Sequence, residues 1–214
     1  MKKIVLIGDS IRLGYDKFIR HAFSGVATVC SPDDNCMFAQ YVLRFAQEWK
    51  NDGAWGDDVD VVHWNAGLWD VLRLFGDEPL TPLEFYGDTI KRVHKRLRLL
   101  FPKAKIIFAT STSVQEEKYN ANFKRCNSEI NEYNRVAVNA LKELDTDIND
   151  LYSITINAPD ECRSDATHFN TEKGVKLVGG KVLEVLCDAL GIDADQLKNM
   201  DAKVNKVSDK ILGY

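Results

Sequence analysis

Near its N-terminus the chain reads Lys2-Lys3-Ile4-Val5-Leu6-Ile7-Gly8-Asp9-Ser10. The apolar run from Ile4 to Ile7 is short and rich in β-branched residues, which predicts a buried strand of a parallel sheet over residues 2–7. Residues 11–23 then predict a helix. The polar segment 8–10 therefore falls at the carboxyl end of a strand, where ligands bind in open sheets of this kind.

Strands and helices continue to alternate along the chain. Further strands are predicted over 26–30, 59–64, 104–109 and 151–156, and further helices over 37–51, 82–100, 127–144 and about 171–190. The third helix has the clearest start, because Thr81 and Glu84 form a capping-box pattern around a proline at the first helical position. The alternation predicts a three-layer α/β fold with a five-stranded parallel sheet. We expect one domain over residues 1–214, with 192–214 as a helical tail.

Composition excludes several classes of protein. The chain has 214 residues and a net charge of −4, which fits one domain and argues against a nucleic-acid binder. It has no apolar run of about 18 residues, so no membrane-spanning helix is predicted. Its five cysteines form no CxxC pair, which favours reduced thiols and no metal site. No signal-peptide pattern opens the chain, so we expect a cytoplasmic protein or one whose leader has been trimmed.

Four polar residues of special interest follow predicted strands or precede the last helix. They are Ser10, Asn65, Asp165 and His168. A serine hydroxyl becomes a nucleophile when a neutral imidazole accepts its proton, and a carboxylate then orients the imidazole. Asp165 and His168 are three residues apart, so one short turn presents both side chains together. The oxyanion that forms during acyl transfer needs donors, for which the Ser10 N–H and Asn65 are candidates.

These residues resemble the SGNH (GDSL-type) hydrolase family. Gly8-Asp9-Ser10-Ile11 is similar to the first block of the family, with Ser10 as nucleophile. Asp165-x-x-His168 is similar to its last block, with His168 as base and Asp165 as the orienting acid. The resemblance spans nearly the whole chain, and it implies a flavodoxin-like fold and hydrolysis of esters or thioesters without a cofactor.

Two blocks of this sequence depart from the family pattern. The third block usually reads Gly-x-Asn-Asp, whereas the chain has Gly67-Leu68-Trp69-Asp70, so a tryptophan replaces the asparagine that donates to the oxyanion. The second block usually offers a glycine N–H, whereas the candidate turn is Asn35-Cys36. A rebuilt oxyanion hole is one interpretation, with donors from Ser10, Asn65 and the 35–36 turn. A decayed, inactive member is the other.

The resemblance favours a carbohydrate O-acetylesterase or another short-acyl esterase, acting on a small-molecule or carbohydrate ester. Trp69, Gly67 and Arg12 are candidate substrate contacts, although core packing for Trp69 and an ion-paired role for Arg12 are alternatives. Asp70 is interpreted as a structural partner of its loop. Two alternatives remain for the function: a thioesterase or lysophospholipase of the same family, and a non-catalytic flavodoxin-like module that binds a small ligand.

Overall fold

A computed structural model describes residues 1–194 and Leu197. Five parallel strands form its central sheet, in the spatial order β2-β1-β3-β5-β7. They are β1 (Lys2–Ile7), β2 (Ala27–Cys30), β3 (Val61–Trp64), β5 (Lys105–Ala109) and β7 (Asp147–Asn149). Two further strands, β4 (Arg73–Leu74) and β6 (Phe123–Lys124), pair antiparallel as a separate small sheet.

Helices cover both faces of the large sheet. They are α1 (Ser10–Ala22), α2 (Ala39–Asp52), α3 (Leu83–Leu100), α4 (Asn127–Leu141), α5 (Leu151–Thr155) and α6 (Glu172–Leu190). Helices α1 and α6 pack together, and α3 contacts both α2 and α4. The predicted α/β fold with a five-stranded parallel sheet is confirmed.

The sheet places the segment after β1 at a point where the strand order reverses. From β1 the chain moves to β2 on one side, and it then returns to β3 on the other side. Residues Ile4 to Ile7 of β1 are fully buried because both faces of the sheet are covered. The crevice between β1 and β3 is the position where open α/β sheets bind their ligands.

The prediction of a fifth strand over 151–156 is wrong. The strand that pairs with β5 is Asp147–Asn149, an edge strand too polar to be recognised by hydrophobicity. Residues Leu151–Thr155 form α5 instead, with the Asp150 side chain accepting from the Ser153 N–H at 3.2 Å. A short apolar run does not distinguish a strand from a buried helical turn, and here the buried positions Leu151 and Thr155 have helical spacing.

The predicted capping box before α3 does not form. The helix begins at Leu83 with Pro82 as its N-cap residue, and no side chain caps it. The Thr81 side chain hydrogen-bonds to Asp70 instead, and its carbonyl accepts from the Tyr133 hydroxyl at 2.6 Å. The local pattern was therefore overridden by a contact with the loop after β3.

The described part of the chain contains no helix long and apolar enough to cross a bilayer. Within the same residues, no group of three or more His, Cys, Asp or Glu side chains is placed to hold a metal ion. The predicted tail over 192–214 lies outside the described residues, apart from 192–194 and Leu197. That residues 1–214 form one domain stays a prediction.

Candidate active site

Ser10 is the first residue of α1 and follows β1 after only two residues. Asp9 is the N-cap residue, since its carboxylate accepts a hydrogen bond from the Ile11 N–H at 3.0 Å. Gly8 is required at this turn because a Cβ there would lie 1.9 Å from Asn65 Oδ1. The strand, the turn and the cap together fix Ser10 at the edge of the sheet.

His168 lies against Ser10 from the loop that precedes α6. Its Nε2 is 2.8 Å from Ser10 Oγ, although the two residues are 158 positions apart. Its Nδ1 is 2.9 Å from each carboxylate oxygen of Asp165. Ser10 and His168 are 3% and 2% exposed, so the hydrogen bond between them is shielded from bulk water.

The Asp165 carboxylate organises the loop as well as the imidazole. Its Oδ1 accepts the backbone N–H groups of Thr167 at 2.7 Å and His168 at 2.8 Å. Partial burial raises the pKa of Asp165, but the hydrogen bonds and charge of His168 and the two backbone donors outweigh burial, so this pKa lies well below its usual range. Asp165 is therefore ionised at neutral pH, as a group that stabilises an imidazolium must be.

Two curated plant proteins resemble the chain over 121 residues. GDSL esterase/lipase CPRD49 of Arabidopsis thaliana is 31% identical, and GDSL esterase/lipase WDL1 of Oryza sativa subsp. japonica is 30% identical. Each alignment covers 52% of this chain, and 47% and 46% of the two relatives. The chain thus spans about half the length of the curated relatives it matches. No family model matches it.

Solved structures share the fold over most of the chain. A lipase/acylhydrolase from Enterococcus faecalis has a TM-score of 0.65 at 19% identity, covering 93% of this chain and 98% of that one. A carbohydrate esterase family 3 structure from Talaromyces cellulolyticus has a TM-score of 0.67 at 15% identity, covering 90% and 100%. The acetyl xylan esterase AlAXEase has a TM-score of 0.64 at 16% identity, covering 86% and 99%.

The GDSL relatives, the shared fold and the two terminal motifs agree. The chain is therefore similar to the SGNH (GDSL-type) hydrolases in sequence and in fold. Its first and last blocks, which resemble that family, meet in space, since His168 Nε2 lies 2.8 Å from Ser10 Oγ. The second and third blocks depart from the family pattern in sequence.

A small cavity lies directly over Ser10, and we call it the Ser10 cavity. Its volume is about 10 Å³, which is room for about one water molecule. Its lining residues come from the first, third and last blocks and from the segment around β6: Ser10, Leu68, Trp69, Phe123, Arg125, Thr167 and His168. Four of these were not predicted as site residues from the sequence: Leu68, Phe123, Arg125 and Thr167.

The 35–36 turn does not line the Ser10 cavity, and its role as an oxyanion donor stays a prediction. The Cys36 N–H donates to the Gly8 carbonyl at 3.2 Å, so it ties the turn to the end of β1. Asn35 Oδ1 accepts from the Met37 N–H at 3.1 Å. Burial raises the pKa of the Cys36 thiol to about 11, which is the wrong direction for a second nucleophile.

Asn65 also lies away from the Ser10 cavity. Its N–H extends the β1–β3 ladder by donating to the Ile7 carbonyl at 3.0 Å, and its side chain packs over Gly8. Beside it, burial raises the pKa of Asp9, while the Asn65 side chain, the Ile11 N–H and the charges of His168 and Arg125 act in the opposite direction. Of the predicted oxyanion donors, only Ser10 lines the cavity, and the first turn of α1 leaves its N–H without an intrahelical acceptor.

The three candidate substrate contacts have different positions. Trp69 lines the Ser10 cavity and packs on Phe38, with ring centroids 5.7 Å apart. Gly67 has φ +147°, and a Cβ there would lie 2.4 Å from Ser111 Oγ, so it serves the loop conformation. Arg12 is buried in an ion pair with Asp16, with Nη1 to Oδ2 at 3.0 Å, and it does not line the cavity.

Asp70 behaves as the predicted structural residue. It is fully buried and accepts the Ala39 N–H at 3.1 Å, so it joins the loop after β3 to the start of α2. Burial raises its pKa to about 6, against the effect of hydrogen bonds from Thr81 and Ala39. It does not line the Ser10 cavity.

No local pattern in the sequence distinguished Arg125. It follows the two-residue strand β6 in a polar stretch, and it reaches Leu68 across 57 positions. The Tyr119 hydroxyl, also unpredicted, contacts Thr167 Oγ1 at 2.6 Å and accepts from Arg125 Nη1 at 3.3 Å. These residues reach the site only through the pairing of β6 with β4, which is a long-range contact.

Proposed function

We propose that the chain is a serine esterase that removes short acyl groups, with O-acetylated carbohydrates as its substrate class. The observation that carries the proposal is the chain of short contacts from Ser10 Oγ to His168 Nε2, and from His168 Nδ1 to the Asp165 carboxylate. The three groups stand in the order that nucleophilic acyl transfer needs.

The reaction follows from these contacts. Ser10 Oγ attacks the acyl carbonyl carbon while its proton passes to His168 Nε2, and the carbonyl π electrons move to oxygen. When the tetrahedral intermediate collapses, the C–O bond to the alcohol breaks and His168 gives its proton to the leaving oxygen. Water then repeats the sequence on the acyl-Ser10 ester and releases the carboxylic acid. Throughout, Asp165 stabilises the imidazolium form of His168.

The size of the Ser10 cavity supports a short acyl group. Its volume is only about 10 Å³ and the side chains of Leu68, Trp69 and Phe123 line it, so a small acyl group needs far less rearrangement there than a long chain. Names among the related folds point the same way, since two of the structures compared above are an acetyl xylan esterase and a carbohydrate esterase family 3 protein. A thioesterase or lysophospholipase is less favoured because each handles a longer acyl group or a bulkier carrier.

The first experiment compares hydrolysis of p-nitrophenyl acetate by the wild type, Ser10→Ala and Ser153→Ala. Ser153 is an exposed serine of α5 and serves as the matched control. We expect kcat to fall by at least about 10⁴-fold for Ser10→Ala, because the nucleophile is lost, and to stay unchanged for Ser153→Ala. Equal rates for all three folded proteins would overturn the proposal and favour a binding module.

A second experiment tests the substrate class. The wild type is assayed with p-nitrophenyl acetate, butyrate and palmitate, with acetylated xylo-oligosaccharides and with an acetyl thioester. We expect kcat/KM to fall steadily with acyl length, and acetate to be released from the oligosaccharides. A preference for palmitate would replace the short-acyl proposal with a lipid hydrolase, and a preference for the thioester would replace it with a thioesterase.

A further inference from the structure

Arg125 is a buried cation without a carboxylate partner among the described residues. Arg125 is only 3% exposed, and no Asp or Glu oxygen of the described chain lies within ion-pair distance of it, since the buried Asp9 feels its charge only from farther away. Burying an unpaired charge is costly, so such groups are normally paired or face a ligand. Two other arginines of the described chain are buried. Arg12 on α1 pairs with Asp16, and Arg163 uses both of its terminal nitrogens in hydrogen bonds to Ser113 and to the Thr155 carbonyl.

Neutral groups hold the Arg125 guanidinium in one orientation. Its Nε donates to the Leu68 carbonyl at 2.5 Å, and its Nη1 donates to the Tyr119 hydroxyl at 3.3 Å. The rings of Phe123 and Tyr119 lie 5.1 Å and 6.0 Å from its central carbon. These partners fix the plane of the group without neutralising it, and the structure gives Nη2 no acceptor within the described residues.

The guanidinium stands beside the third block, where the family's oxyanion donor is missing. Leu68, which accepts from Arg125 Nε, is the neighbour of Trp69, the residue that replaces the usual asparagine. Arg125, Ser10 and His168 line the same small cavity, whereas Asn65 and Cys36 do not. Among the residues that line the cavity, Arg125 is therefore the one with a permanent positive charge.

We propose that Arg125 donates to the oxyanion of the tetrahedral intermediate and so replaces the asparagine of the third block as a catalytic residue. The inference rests on the proposed esterase function. When Ser10 Oγ bonds to the acyl carbon, the negative charge that forms on the carbonyl oxygen is held by the Ser10 N–H and by Arg125. A positioned donor of this kind acts most strongly in a site shielded from water, where the charge develops only in the transition state.

The experiment measures kcat and KM of Arg125→Gln with p-nitrophenyl acetate, a neutral ester. The matched control is Arg73→Gln, an arginine of the neighbouring strand β4 that pairs with Glu129 at 2.7 Å and lies outside the Ser10 cavity. We expect kcat to fall by about 10²- to 10³-fold in Arg125→Gln, with KM changed by less than about threefold. Arg73→Gln keeps the wild-type kcat.

Loss of folding and loss of catalysis are separated by a second variant. If Arg125→Gln does not fold, Arg125→Lys carries the test. An ammonium group cannot hold both the Leu68 and Tyr119 acceptors and still face Ser10, so we expect its kcat to fall by about tenfold at unchanged KM. A folded Arg125→Lys with wild-type kcat overturns the inference, as does a folded Arg125→Gln within about threefold of wild type.

A permanent anion on the substrate is the competing explanation for the unpaired charge. If Arg125→Gln raises KM only for p-nitrophenyl hemisuccinate and leaves kcat for the acetate ester unchanged, Arg125 recognises a substrate carboxylate and the inference is wrong. Failure of the esterase proposal has a different signature, since the wild type then shows no turnover that depends on Ser10, and both ideas fall together.

Discussion

In the lining of the Ser10 cavity, the ring of His168 is backed by the Asp165 carboxylate, which also accepts two backbone N–H groups. The Arg125 guanidinium, which lines the same cavity, is held by the Leu68 carbonyl and the Tyr119 phenol, with two aromatic rings nearby. We call His168 and Asp165 the first wall of the cavity, and Arg125 with these partners the second wall. In the proposed reaction, Asp165 balances the charge that appears on the imidazole. Arg125 acts on the Asp9 carboxyl only beyond ion-pair distance, and under our proposal it pairs with the oxyanion of the tetrahedral intermediate.

The pKa values of two carboxyl groups of the site region, Asp165 and Asp70, are shifted in opposite directions. Asp165 has its pKa held well below the usual range by hydrogen bonds and by the charge of His168, despite partial burial. Asp70, which follows Trp69 in the sequence, has its pKa raised to about 6 because burial outweighs the hydrogen bonds it accepts. One carboxylate is therefore placed to act as an anion, and the other is a structural acceptor that tolerates its proton.

The largest expected effect comes from removing the negative charge of Asp165 in the first wall. Asp165→Asn keeps an oxygen for the Thr167 and His168 N–H groups but cannot stabilise the imidazolium, so we expect kcat for p-nitrophenyl acetate to fall by about 10³- to 10⁴-fold. Asp160→Asn, in the same loop and bonded to Gln115, is the control and keeps its activity. A rate within about tenfold of wild type would show that His168 works without its carboxylate.

The second effect in size concerns the free energy of unfolding, and it arises from the carboxyl group of Asp70. Since the folded-state pKa of Asp70 is about 6 and the model-peptide value is 3.8, the folded protein keeps a proton there that the unfolded chain has lost. The free energy of unfolding therefore falls as pH rises from about 3 to about 7, by about 3 kcal/mol in total, and then levels off. Asp70→Asn has no carboxyl group to titrate at this position, so this fall in the free energy of unfolding is absent from the variant.

The test of this effect is a pair of urea titrations at about pH 4 and about pH 8. We expect the stability of Asp70→Asn relative to wild type to increase by about 3 kcal/mol between the two, whatever its value at the lower pH. Asp88→Asn, on the exposed side of α3, provides the control and follows the wild type. Parallel curves for Asp70→Asn and wild type would mean that folding leaves the pKa of Asp70 unchanged, and burial would then not outweigh its hydrogen bonds.

The residues of the first wall could be predicted from the sequence, whereas Arg125 of the second wall could not. Ser10 follows a strand within three residues, and Asp165 and His168 share one short turn, so local patterns and the parallel sheet were enough to bring them to one edge. Arg125 reaches the cavity only because β6 pairs with β4 and the side chain finds a carbonyl 57 positions away. Neither two-residue strand has a pattern long enough to be predicted.

The errors in the fold have a related cause. The edge strand Asp147–Asn149 has two polar residues out of three and exposes its first two residues, while the apolar turn that follows it is a helix, so hydrophobicity pointed to the wrong segment. At the second block, Asn35-Cys36 has the right position after β2 to act as an oxyanion donor. Its N–H is instead committed to the Gly8 carbonyl, a contact between segments that no spacing rule predicts.

The smallest expected effect probes the support of Arg125 without touching its charge. Tyr119→Phe removes the acceptor of Nη1 and the contact with Thr167, but leaves the Leu68 bond and the Phe123 ring in place. One lost hydrogen bond to a charged group corresponds to about 1 kcal/mol or slightly more, so we expect kcat for p-nitrophenyl acetate to fall by about three- to tenfold at unchanged KM. Tyr152→Phe loses a phenol hydrogen bond of similar length, to the Asn127 carbonyl at 3.0 Å, and Tyr152 is not among the lining residues of the Ser10 cavity. If Tyr119→Phe and Tyr152→Phe lower kcat equally, the Tyr119 hydroxyl does not matter for catalysis through Arg125. The second wall would then contribute its positive charge alone, without a fixed orientation of the guanidinium.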